Sequence, residues 1–126
     1  MDKDTKNYIF DRISQDPFNK TIYGQALMDI YTREIDLNND SLKTILISIN
    51  QIPWDWISAI LLEYDLTIDD IYKVNEKIPT EKKAKKETLR KFEVYYKNFV
   101  NEVTNRDSFF AKLKKLFQSS SRTSKT

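Results

Sequence analysis

Apolar residues recur three and four positions apart along most of this chain, and that spacing predicts helices throughout. Residues 4–15 carry Tyr8, Ile9, Phe10 and Ile13 on one side and stop at Asp16-Pro17, since the residue before a proline is pushed out of the helical region. Residues 21–34 repeat the period with Ile22, Tyr23, Ala26, Leu27, Ile30 and Tyr31. Residues 41–50 are more ambiguous, because Thr44 to Ile49 is β-branched enough to pass for a strand. The helical period of Leu42, Ile45, Leu46 and Ile49, an Asp40 able to cap, and the lack of a partner strand favour a helix there.

The stretch 53–75 is the most informative. Pro53 suits a first helical position, where its missing N–H has no partner to lose. Trp56, Ile57, Ile60, Leu61 and Tyr64 then form one wide apolar face. Thr67 reads as the hydroxyl N-cap of a second helix, with Asp69 and Asp70 at the positive end of its dipole and Ile68, Ile71 and Val74 on its buried side. After Ile78-Pro79 the pattern predicts a long helix over 80–105, where Leu89, Phe92, Tyr96, Phe99 and Val103 alternate three- and four-residue steps as in a coiled-coil seam. A last helix over 109–117, capped by Asp107 or Ser108, sets Phe109, Phe110, Leu113, Leu116 and Phe117 against Lys112, Lys114 and Lys115. The expected fold is an all-α, single-domain bundle of about seven helices over residues 1–117, with a disordered Ser, Thr, Lys and Arg tail at 118–126.

Composition narrows the chemistry. The 126 residues contain no cysteine and no histidine, which removes thiolate chemistry, disulfides, the commonest general base and the commonest metal ligand. The single glycine, Gly24, excludes phosphate-cradling and dinucleotide-binding glycine loops. No nucleophile–base pair or ligand set stands out, so neither an enzyme nor a cofactor or metal is expected. The start Met1-Asp2-Lys3-Asp4 is unlike a signal peptide, no apolar run of spanning length appears, and a cytoplasmic location is expected. The 109–117 segment is short for a helix lying on a membrane surface.

The net charge of +2 conceals a division. Residues 1–76 hold 7 Lys and Arg against 14 Asp and Glu, whereas residues 77–126 hold 14 against 5. The division predicts either a polyanion-binding second half or acidic and basic faces packed together. Lys82, Lys83, Lys85, Lys86, Arg90 and Lys91, with Lys97 further along, are the candidate phosphate contacts, and Tyr95 and Tyr96 are either base-stacking rings or part of the seam. Residues 53–75 also align with a helix-turn-helix reader, but Asp69 and Asp70 beside a lone Lys73 would repel the phosphates that anchor such a helix. Trp54, Trp56, Ile60 and Tyr64 shape either a partner-binding surface or the core beneath it.

Over about residues 8–77 the chain resembles the C-terminal domain of the DnaD-like replication-initiation proteins of Gram-positive bacteria and their phages. The likeness rests on the apolar helix 41–50, the run Trp56-x3-Ile60-x3-Tyr64, with its aromatics in the order opposite to the family's, and Leu66-Thr67-Ile68-Asp69-Asp70. It implies DNA binding and contact with a replicative helicase or its loader. The expectation is a non-enzymatic DNA-binding or replication accessory protein, of phage or plasmid type, that contacts DNA through a lysine-rich helix without sequence preference. The rival expectation is an inhibitor or immunity-type protein whose acidic helical face engages a basic protein.

Overall fold

The computed structural model describes the backbone of residues 1–125 and the side chains of residues 1–105. Six α-helices and one 3₁₀ turn account for its regular structure, and no strand occurs among the described residues. The helices are α1 (Lys3–Ser14), α2 (Ile22–Tyr31), α3 (Asn39–Ile47), α4 (Trp54–Glu63), α5 (Ile68–Glu76) and α6 (Lys86–Lys125), with the 3₁₀ turn at Pro17–Lys20. The all-α bundle is as expected, but with six helices rather than seven. The difference lies at the end of the chain, where α6 runs through the segment expected to break at Asp107 or Ser108. The side chains of the expected 109–117 face and the 118–126 tail lie outside the described residues.

Local chemistry starts most of these helices. Asp2 accepts from the Thr5 N–H at 2.8 Å to open α1, and Thr21 accepts from Gly24 N–H at 2.9 Å to open α2. Asn38 and Ser41 form a reciprocal capping box at α3, so the cap lies two residues before the expected Asp40. Thr67 caps α5 as expected and makes a box with Asp70, whose carboxylate accepts from the Thr67 N–H at 2.8 Å. At α4 no side chain caps the first turn, and Pro53 is the N-cap rather than the first helical residue. The helix closes in a Schellman turn, with Leu66 N–H donating to Leu61 C=O at 2.9 Å across Asp65, which takes the left-handed conformation (φ 53°) usually given to glycine.

The core is built on α4. Trp56, Ile57, Ser58, Ala59, Ile60 and Leu61 are all buried, and six consecutive residues at 100° intervals cover the whole circumference of a helix. The single apolar face expected here is therefore incomplete: α4 is enclosed by α1, α2 and α6. Trp56 is fully buried, with Phe18 edge-on at 5.2 Å. Its indole N–H finds no partner among the described residues, a cost of about 1–3 kcal/mol that its aromatic packing must offset. The α6 seam buries Leu89, Phe92, Tyr96, Phe99 and Val103, as its spacing predicts.

Two ionic clusters tie this core to its edges. Arg12 of α1 donates to Asp55 of α4 at 3.1 Å and to Glu102 of α6 at 2.9 Å, while the Tyr95 hydroxyl donates to Asp55. At the other end of α4, Glu63 accepts from Lys6 Nζ and Arg33 Nε, each at 2.8 Å. Arg33 itself is left-handed (φ 66°) and stacks on the Tyr64 ring at 4.3 Å, and the Tyr64 hydroxyl donates to Ile30 C=O at 2.7 Å. Burial pushes the Glu63 carboxyl upward, but the hydrogen bonds and charges of Lys6 and Arg33 outweigh burial and hold it below the usual carboxylate range.

Two outcomes follow from this packing. A Cβ on Gly24 would stand 1.9 Å from the Phe18 carbonyl oxygen, so Gly24→Ala must force α2 off the 3₁₀ turn. Urea unfolding of Gly24→Ala should show a loss of about 1–3 kcal/mol. Because Glu63 has a lower pKa folded than unfolded, its contribution is present above the unfolded value of about 4.3 and is lost as pH falls through the folded value. Glu63→Gln should therefore flatten the acid limb of stability against pH, and an unchanged limb would place that dependence on other carboxylates.

Candidate nucleic-acid interface

The lysine-rich segment is not the start of the long helix. Residues 77–85 form a loop between α5 and α6, so Lys82, Lys83 and Lys85 stand on it, and only Lys86, Arg90, Lys91 and Lys97 lie on α6. The expected helix start at Thr80 fails because the chain there is held in another shape. Ile78 is buried, and the N–H groups of Lys82 and Lys83 both donate to Pro79 C=O, at 2.9 and 3.0 Å, in a tight turn.

Asn75 then fastens the loop to α5. Its side-chain amide donates to Ala84 C=O and accepts from Ala84 N–H, both at 3.0 Å, in the paired geometry one strand residue offers another. Asn75 is 7% exposed and Ala84 9%, so both bonds are shielded from water. An amide supplies one donor and one acceptor in a fixed plane, which is what a single backbone residue requires. The buried Ala84 thus turns the flanking Lys82, Lys85 and Lys86 outward, and all three are exposed, while Lys83 is half-buried.

Lys86 and Arg90 lie four residues apart on one strip of α6, about 6 Å from each other, and extend the loop's positive charge along the helix. With the other described residues, Lys82, Lys83, Lys85, Lys86 and Arg90 form no ion pair, in contrast to Lys6, Arg12 and Arg33 of the bundle. Lys91 and Lys97 are partly neutralised by Glu87 at 3.6 Å and Glu93 at 3.7 Å. Glu81 and Glu87 are also exposed within the segment.

The aromatic candidates are placed differently. Trp56 and Ile60 are core residues with 0% and 1% exposure, which removes them from any partner surface. Trp54 is half-buried: its indole N–H donates to Ile49 C=O at 2.9 Å, and its ring meets Phe92 and Tyr95 edge-on, each at 5.6 Å. Tyr64 is half-buried and anchors the end of α2. Tyr96 stacks on Phe92 inside the seam, and Tyr95 is held by Asp55, with burial and then that bond pushing its hydroxyl up to about 12. All five of these aromatics are buried or held by contacts within the bundle.

Among the described residues no cluster of acidic, histidine or cysteine side chains could hold a metal ion, and no helix is long and apolar enough to cross a membrane. The Asn75 clamp escapes sequence reasoning because its two partners are backbone atoms nine residues away. Compared with known proteins, the chain matches no family model, no curated protein and no solved structure.

Removing the clamp should release the loop. Asn75→Ala leaves a buried N–H and C=O of Ala84 without partners, at a cost of roughly 1–3 kcal/mol. Amide exchange at Ala84 should accelerate with little change in the α4 amides, whereas unchanged protection at Ala84 would show that the loop is held by other means.

Proposed function

We propose that this protein is a non-enzymatic, cytoplasmic DNA-binding accessory protein that holds the phosphate backbone on the 82–91 segment. The observation that carries the reading is the group of Lys82, Lys83, Lys85, Lys86 and Arg90, a run of cations without an ion-pair partner among the described residues, on a loop held by Asn75 and the helix that follows. Holding the loop lowers the conformational cost of placing several ammonium groups along one backbone. Each lysine or arginine that meets a phosphate releases condensed counterions, so affinity depends steeply on salt and little on base sequence. The aromatic rings of Trp54 and Tyr96 belong to the core or its ties, which favours backbone recognition over base stacking. The resemblance of residues 8–77 to DnaD-like C-terminal domains supports a role in replication.

Fluorescence anisotropy of labelled duplex DNA across a salt series tests this. Five cations on phosphates correspond to a slope of log affinity against log salt of about −4.5. Converting Lys82, Lys83, Lys85 and Lys86 together to alanine should lower the magnitude of that slope by about 3 to 4 and weaken binding most at low salt. Unchanged affinity and slope would remove these residues from the interface. Failure of the unsubstituted protein to bind at low salt would reject DNA as the ligand.

A further inference from the structure

An open groove of about 680 Å³ runs between the α4–α5 corner and α6. Leu62, Leu66 and Ile68 line one wall and Tyr96 and Val100 the other, and the Tyr96 hydroxyl joins the two by donating to Leu66 C=O at 3.4 Å. Leu62, Leu66, Ile68 and Val100 are only half-buried, so apolar surface stays open to solvent here. Tyr96 and Val100 stand four residues apart on α6, the ridge spacing that receives another helix. No strand edge exists among the described residues for an extended peptide to join, so a helix is the segment that this groove fits.

Charge selects among helices. On the α6 wall Glu93 and Lys97 lie one turn apart and pair with each other at 3.7 Å. The α5 side is different. Asp69 lines the groove, and Asp65, in the left-handed turn before α5, lies near enough to the Tyr96 hydroxyl to push its pKa up, second to burial. Both carboxylates are exposed, and neither forms an ion pair with another described residue. Lys73 acts on Asp70, whose carboxylate closes the α5 cap. We infer that the groove docks an amphipathic helix of a protein partner, with its apolar stripe on Leu66, Ile68 and Val100 and a lysine or arginine edge over Asp65 and Asp69. Its opposite edge lies over the Glu93–Lys97 pair and needs no net charge. The exposed charges set partner choice and orientation, while the apolar strip supplies most of the affinity. The inference stands apart from DNA binding, because Lys82, Lys83 and Lys85 line no part of the groove.

Isothermal titration calorimetry of the full chain with two synthetic peptides is the test, with circular dichroism confirming that each variant stays folded. Each peptide is a capped helix of roughly 14 residues, four turns, with leucines at three- and four-residue spacing. One edge of the leucine stripe carries lysine in the first peptide and glutamate in the second, and the other edge carries glutamine in both. The lysine peptide should bind one per chain, and the glutamate peptide should bind roughly tenfold more weakly or worse. The net charge of +2 favours the glutamate peptide in any non-specific attraction, so the expected order is diagnostic. Asp65→Asn with Asp69→Asn, which leaves the apolar walls intact, should abolish the preference, and Ile68→Asp with Val100→Asp should abolish binding of both peptides. Binding of neither peptide, a preference that survives the asparagine pair, or binding that survives the aspartate pair overturns the inference. So does a dimer of the unsubstituted chain in sedimentation equilibrium that the aspartate pair converts to monomer, since a second copy would then fill the groove.

Discussion

A helix that buries its entire circumference must be surrounded, and α4 imposes that condition on the rest of the fold. Trp56 to Leu61 offer no side to water, so α1, α2 and α6 enclose the helix while α3 and α5 pair on the flank. The consequences reach the level of single atoms. Gly24 is the one position where α2 comes close enough to the Phe18 carbonyl that no Cβ fits, and that approach helps carry Phe18 onto the Trp56 ring. The burial of 23 apolar side chains among the described residues supplies the main driving force, and the ionic ties at the ends of α4 decide how the surrounding helices are set.

Those ties work because each carboxylate serves two elements. Asp55 joins α1 and α6 through Arg12 and Tyr95, and Glu63 joins α1 to the turn after α2 through Lys6 and Arg33. Isolated surface pairs contribute little, but Glu63 is only 8% exposed and bonded to two cations, so loss of either cation leaves a poorly solvated charge. The same contacts hold Arg33 in a left-handed conformation that an L-residue seldom adopts without support. Packing and electrostatics therefore act on the same few residues.

Much of the architecture was legible because it is local. The Leu89–Val103 seam and the Thr67 cap depend on residues within a few positions of one another, and the chain bears out both. What escaped is long-range. The sequence around residues 80–85 is rich in lysine and has ordinary helix propensity, yet Asn75 and the buried Ile78 and Ala84 hold it as a loop. Periodicity identified one face of α4 but could not reveal that three neighbours would close around it. The ties made by Arg12 and Glu63 carry no local signal, because their partners lie 43 to 90 and 30 to 57 residues away. The candidate site was legible as a charge run, and its shape was not.

The lysine loop inherits its position from this hierarchy: α4 fixes the bundle, the bundle fixes α5, and Asn75 at the end of α5 fixes the loop. Native-state hydrogen exchange at the amides of Ala59, Ile60 and Leu61 tests that order most directly. If α4 is the element on which the others depend, these amides exchange only through global unfolding and report the full unfolding free energy, matching or exceeding those of the α6 seam. Exchange at Ala59 to Leu61 through a cheaper local opening, while Leu89 to Phe99 stay protected, would contradict the account and make α6 the organising element instead.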